Sequence, residues 1–144
     1  VKRIAVIDGQ GGGIGSAVIR KIKEIYGESL EVWALGTNAV ATAQMMKARA
    51  NRGATGEHAI VHCAGRVDLV IGPIAILLPY AMMGEITPRM VEALGASPAF
   101  KLLIPLTQEP LLVVGAAREP LPHLVDQLVY EHLPRKLGLE ADPS

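Results

Sequence analysis

A single cysteine, Cys63, leaves the chain no intrachain disulfide and fits a reducing compartment. Aromatic residues make up only 3% of the sequence, so a core must be assembled from Ala, Val, Ile, Leu and Met. An excess of one charge is also missing. Lys plus Arg and Asp plus Glu stand at 14 each, which removes any global attraction to nucleic acid or anionic membrane. The longest apolar stretch, Val70–Met83, is broken by Gly72, Pro73 and Pro79 and falls short of the roughly 20 residues a membrane helix needs. The opening VKRIAVID lacks the order of a secretory signal. These absences lead to the expectation of a cytoplasmic protein with no nucleic-acid and no membrane partner. With half of its 144 residues hydrophobic, the chain is expected to form one domain over 1–138, followed by a frayed tail over 139–144.

What is present is an alternation of strand-like and helix-like segments. Arg3–Asp8 is a short apolar run closed by Gly9, which predicts a buried strand. Ile14, Val18, Ile22 and Ile25 follow at helical spacing, and Gly27 ends that helix. Leu30–Leu35 reads as a second strand, and Thr37 or Asn38 as the cap of a helix ending near Ala50. Asn51–Gly56 reads as a polar loop, with Thr55 capping a short helix over Glu57–Cys63. Val67–Ile71 is the third expected strand. Ile74–Met83 reads as a helix kinked by Pro79, and its apolar surface would suit a dimer interface. Thr87-Pro88 opens a further helix that stops before Gly95.

Lys101–Leu106 and Leu111–Val114 are the fourth and fifth expected strands. Only four residues separate them, so they should pair as an antiparallel hairpin. A last helix over Pro122–His132 would be closed by Pro134. The pattern predicts an α/β three-layer sandwich with a mostly parallel five-stranded sheet, Rossmann-like, in the order 3-2-1-4-5 with the last strand antiparallel. A ligand crevice would then lie outside the carboxyl ends of strands 1 and 4, where the strand order reverses.

Asp8–Ala17, DGQGGGIGSA, is the most informative segment. It follows a strand, opens a helix and holds five glycines between Gly9 and Gly15. Glycines let a backbone approach an anion, and a helix N-terminus favours negative charge. The dinucleotide spacing GxGxxG is absent. Gly9, Gly13, Ile14 and Gly15 instead form GxxxGIG, similar to the cofactor loop of short-chain dehydrogenases. The Tyr-x-x-x-Lys pair of those enzymes is missing, because the residues four beyond Tyr26, Tyr80 and Tyr130 are Leu30, Gly84 and Pro134. The loop also resembles the ATPase variant KGGxGK[ST], but Ser16 stands where that motif has its second lysine. Asp8 opposes phosphate unless a metal or proton intervenes, and suits a ribose, a base edge or Mg²⁺.

The candidate ligand contacts are therefore Asp8, Gly9, Gln10, Gly11, Gly12, Gly13, Ile14 and Gly15, with Thr37, Asn38, Arg52 and Thr55 as secondary ones. Arg52 can clamp a phosphate or carboxylate. No acid closes the second strand where dinucleotide folds hold the adenosine ribose, so NAD is not singled out. Glu85 reads more readily as an exposed loop glutamate than as a general base or ribose ligand. Gln108 and Glu109, at the hairpin tip, read first as ordinary turn residues, with a place in the crevice as the lesser alternative. His58 and His62 share a helical face at a spacing zinc can use. With no third ligand nearby, no metal site is assigned.

Beyond the loop, the chain resembles a small bacterial family of uncharacterised proteins known only as a domain of unknown function. The likeness is carried by IAVIDGQGGGIG, ALGTNAVAT, ANRGATGEHAIV, IGPIAI and GEITPRM, within Ile4–Met90, and does not reach past Leu106. It implies a bacterial cytoplasmic protein with the α/β sandwich already described and supplies no activity. In that family lysine often follows GIG, where this chain has Ser16. The expected function is a module that holds a nucleotide, a dinucleotide such as NAD(P), or another small anionic phosphorylated molecule on the glycine loop. The alternatives are an enzyme on such a substrate using Asp8, and a structural homo-oligomer with no ligand.

Overall fold

The computed structural model describes residues 1–138. Five strands form one sheet in the order β3-β2-β1-β4-β5. They are β1 (Lys2–Asp8), β2 (Leu30–Gly36), β3 (Arg52–Thr55), β4 (Leu69–Pro73) and β5 (Phe100–Ile104). All neighbours are parallel, and β1 lies centrally with Ile4 opposite both Val32 and Leu69. Such strands are buried on both faces, which explains their continuous apolar sequence.

Side chains alternate across the sheet. Ile4 and Val6 of β1 enter one core with Val18, Ile19 and Ile22 of α1 (Gly13–Tyr26) and Met45 of α2 (Ala39–Lys47). Ala5 and Ile7 enter the other, with Ile60 of α3 (Glu57–Cys63) and Met90 and Leu94 of α4 (Pro88–Ala96). Each fully buried aliphatic side chain contributes roughly 1.5–3 kcal/mol. α1 and α2 cover one face while the chain runs outward from β1. α3 and α4 cover the other after it turns back, as right-handed crossovers require.

The C-terminal helix returns to the first face. It runs as α5 (Leu121–Asp126), a π-helical stretch Gln127–His132, and α6 (Leu133–Leu137). Pro134 therefore lies inside this helix rather than closing it. Proline has no N–H and its ring crowds the carbonyl four residues back. The wider turn directly before it accommodates both, and the Val129 carbonyl accepts the Tyr26 hydroxyl at 3.0 Å.

The order 3-2-1-4-5 holds, but its segments differ from those expected. Arg52–Thr55, expected as loop, is the outer strand β3. The segments expected as the third and fourth strands are β4 and β5. The antiparallel hairpin does not form. The last strand is β5, parallel to β4, and Leu111–Val114 is irregular. Pro105 lacks the N–H that an antiparallel ladder on Leu111–Val114 would use.

Ile74–Met83 is not a helix. A short 3₁₀ turn over Ile74–Leu77 gives way to tight turns with positive φ at Tyr80, Met82 and Met83. Gly56, not Thr55, caps α3, and Gly95 lies within α4. The expected caps Asn38 and Thr87 accept from the amides of Ala41 and Met90, and Gly27 ends α1. The expected tail over 139–144 lies outside the described residues. Among the described residues, no helix is long and apolar enough to cross a membrane.

Candidate functional site

The carboxyl ends of β1, β4 and β5 open on a cleft of about 630 Å³ at the point where the strand order reverses. Ile14, Pro73, Tyr80, Met82 and Leu106 give it an apolar wall. Gln10, Thr107, Gln108 and Glu109 supply its polar groups, and no Lys or Arg is among its lining residues. A parallel sheet places its ligand crevice at this switch point. Gln108 and Glu109 line it, the lesser of their two sequence readings, although the hairpin expected to carry them is absent. Tyr80 and Met83 on one rim, and Leu112 and Val114 in the segment after β5, expose 72%, 98%, 84% and 93% of their surface.

Asp8 ends β1 and is 4% exposed. Its Oδ1 accepts the Gly9 amide at 2.8 Å and its Oδ2 the Gly15 amide at 2.7 Å. The carboxylate thus turns back on its own loop and caps the first turn of α1. Burial pushes its carboxyl above the ordinary 3.8, outweighing the amides of Gly15, Gly9 and Ile14, and the charge of Glu85 adds to the rise. Both oxygens are engaged inside the fold, so Asp8 acts here as structure for the loop.

Glu85 is half-buried and lies at the centre of a second cluster. Its Oε1 accepts the Gln10 amide at 2.8 Å, the Thr37 hydroxyl at 2.6 Å and the Asn38 Nδ2 at 3.2 Å. Its Oε2 accepts the same Nδ2 at 3.2 Å. Burial alone would raise its carboxyl. The Thr37, Gln10 and Asn38 donors prevail and hold it below the ordinary 4.5. Gln10, Thr37 and Asn38, assigned from sequence to a ligand, are thus brought together on a carboxylate of the chain itself. That carboxylate arrives from a different segment of the chain, at the end of the strand where sequence showed no acid. From sequence Glu85 reads as an exposed loop residue, because nothing local to Gly84-Glu85-Ile86 reveals the long-range donors.

The turn that delivers Glu85 is strained. Tyr80, Met82 and Met83 have φ of 70°, 57° and 55°, and Gly84 has 91°. Left-handed conformations cost L-residues roughly 1–2 kcal/mol each. Hydrogen bonds within the turn, from the Gly84 amide to the Tyr80 carbonyl and from Glu85 to Met82, hold it together. The Met82 amide is tied to Glu109 Oε1 at 2.9 Å.

The glycines of the loop divide into two sets. A Cβ on Gly9 would lie 2.6 Å from Met82 Sδ and from Thr37 Oγ1, and 2.7 Å from Glu85 Oε1. Gly12 has φ +72° and a Cβ there would lie 2.9 Å from the Ala41 carbonyl oxygen, while one on Gly15 would lie 2.6 Å from Met45 Sδ. Packing inside the fold accounts for these three. Gly11 and Gly13 are exposed, have no positive φ, and would bring a Cβ within 4 Å of nothing. The Gln10, Gly12 and Gly15 amides donate to Glu85, the Gly9 carbonyl and Asp8. Those of Gly11 and Gly13 have no acceptor among the described residues.

The remaining candidates lie apart from this centre. Thr55 ends β3 and shares a 2.7 Å hydroxyl hydrogen bond with Thr42 of α2. Arg52 opens β3 and pairs with Glu31 at 3.4 Å, three residues down the strand from the loops. Ser16 Oγ is buried without a hydrogen-bond partner. No group of three His, Cys, Asp or Glu side chains among the described residues can hold a metal.

Strand order, crevice and glycine loop together define a Rossmann-like α/β protein. Within that class the chain belongs to DUF3842, a domain of unknown function, whose family model matches residues 3–136. The match includes the stretch after Leu106 that the sequence resemblance does not reach. No curated protein matches the chain. Among solved structures it is similar to a dodecameric FMN-dependent Ubix-like decarboxylase from Escherichia coli O157:H7. That likeness has a TM-score of 0.47 and 16% identity over 100% of this chain and 97% of the other.

Proposed function

We propose that the chain is a binding module for a phosphorylated small molecule of the nucleotide type. The ligand's anionic group rests on the amides of Gly11 and Gly13 at the start of α1. Its apolar body fills the cleft over Ile14, Pro73 and Tyr80. The observation that carries this reading is the pair of glycines with no internal reason to be glycine. Both are exposed, both keep a free amide, and the residues flanking them, Gln10 and Ile14, line the cleft. At the mouth of a cleft, a missing side chain lets the backbone come close to an external group.

The cleft also limits the ligand. With no Lys or Arg in its lining and two amides free, it suits one phosphate better than a di- or triphosphate. The test is a thermal-shift screen against mononucleotides, dinucleotides and phosphorylated metabolites. A ligand at 100 times its Kd adds about 2.7 kcal/mol to stability. The expected result is a hit that disappears in Gly11→Val and Gly13→Val while both variants stay folded. A hit unaffected by both variants, or none across the panel, overturns the reading.

A further inference from the structure

Glu85 occupies a site built for an anion. Three donors from two different loops, the Gln10 amide, the Thr37 hydroxyl and the Asn38 side-chain amide, converge on one carboxylate oxygen. Each donor is anchored independently of Glu85. The Thr37 amide donates to the Asp8 carbonyl at 3.0 Å. Asn38 caps α2 through its Oδ1, and its Nδ2 also donates to the Gln10 carbonyl at 3.0 Å. The donors therefore stay in place if the carboxylate leaves. The carboxylate, by contrast, is delivered by the strained turn described above, with left-handed backbone at Tyr80, Met82, Met83 and Gly84.

We infer that Glu85 is an internal stand-in for a ligand oxyanion, and that a phosphate displaces its carboxylate from the Gln10, Thr37 and Asn38 donors. This deepens the proposed function, since it rests on the glycine loop being an anion site, but it uses a different set of donors. It also sets the order of events. The Gln10, Thr37 and Asn38 donors are filled at rest by the chain's own acid, and a phosphate must compete with it there. The turn that carries Glu85 also carries Met82 and Tyr80, both of which line the cleft, so occupation of the donors and the shape of the cleft are linked.

The test uses inorganic phosphate as probe, titrated at constant ionic strength into the full chain and followed by thermal shift and calorimetry. Wild type should respond weakly. Glu85→Ala should bind phosphate at least tenfold more tightly, and Glu85→Ala with Thr37→Val should lose most of that gain. The double variant separates donor release from the mere loss of a negative charge, because valine leaves the charge of the single variant unchanged. Equal or weaker phosphate binding by folded Glu85→Ala overturns the inference, as does a gain that survives Thr37→Val. If Glu85→Ala does not fold, Glu85→Ser, too short to reach the three donors, must show the gain in its place, and no gain there is equally decisive. Loss of a panel ligand in Gly13→Val reports on the proposed function alone, so the two ideas fail separately.

Discussion

The Glu85 carboxylate accepts the Thr37 hydroxyl at 2.6 Å across 48 residues of sequence. This contact ties the segment before α4 to the end of β2 and closes over Gly9 between them. The space at Gly9 exists because that residue has no side chain.

Gly9→Ala and Gly13→Ala should therefore have opposite consequences. Alanine at Gly9 forces Met82, Thr37 or Glu85 aside and should lower stability by about 1–3 kcal/mol. Alanine at Gly13 meets nothing and sits at the first position of α1, so stability should hold or rise by up to about 1 kcal/mol. Urea midpoints at unchanged slope measure both. A loss at Gly13 as large as that at Gly9 would remove the distinction between the two sets of glycines.

Asp8 gives a pH dependence of unusual sign for a carboxylate. Its folded pKa lies above 3.8, so the folded state holds its proton more tightly than the unfolded state. Stability from this group is fully present below 3.8 and is lost as pH rises through the raised folded value. Asp8→Asn removes the titration. Its Tm relative to wild type should climb across that window, as followed by circular dichroism from pH 3 to 8.

Glu85 acts in the opposite direction. Its folded pKa lies below 4.5, so its contribution is present above 4.5 and disappears as pH falls through the lowered folded value. Glu85→Gln should flatten the acid limb of the stability curve below pH 4.5 and leave the neutral region less affected. An acid limb identical to that of wild type would show that the Gln10, Thr37 and Asn38 donors do not favour the charged form.

At the opposite end of the sheet, Lys23 is buried with its ammonium 2.7 Å from Asn51 Oδ1 and 3.3 Å from Glu28. Asn51 Oδ1 also accepts the Val32 amide at 2.7 Å, so one side chain joins α1, β2 and the turn into β3. Lys23→Met keeps the apolar stem and deletes the donor. It should cost about 1–3 kcal/mol, read as a drop of several degrees in Tm. Because this cluster lies far from the cleft, ligand response should be unchanged.

The order of the sheet, the position of the crevice and the caps at Asn38 and Thr87 were legible because each follows from local pattern: apolar runs, helical spacing, a cap residue at a boundary. β3 was not, because Arg52-Gly53-Ala54-Thr55 carries no apolar alternation. Its strand is defined by the partner edge of β2, and Gly53 lets Met46 of α2 lie against it, where a Cβ would be 2.8 Å from Met46 Sδ. Leu111–Val114 misled in the other direction. Its composition favours a strand, but strand formation needs a partner, and β5 is already paired in parallel with β4. In the candidate site, sequence located the loop and the Thr37-Asn38 corner. It could not reveal that Asp8 and Glu85 take up several of the loop's donors, because those bonds depend on tertiary distance.

β3 forms the outer border of the sheet on its side, is four residues long, and opens on Arg52, whose side chain is 75% exposed and paired with Glu31. A border this short, beginning with a charge, presents few backbone groups in a row to an incoming strand. Two copies of the chain gain little by merging their sheets there. The charge of Arg52 at the start of β3 adds to that protection.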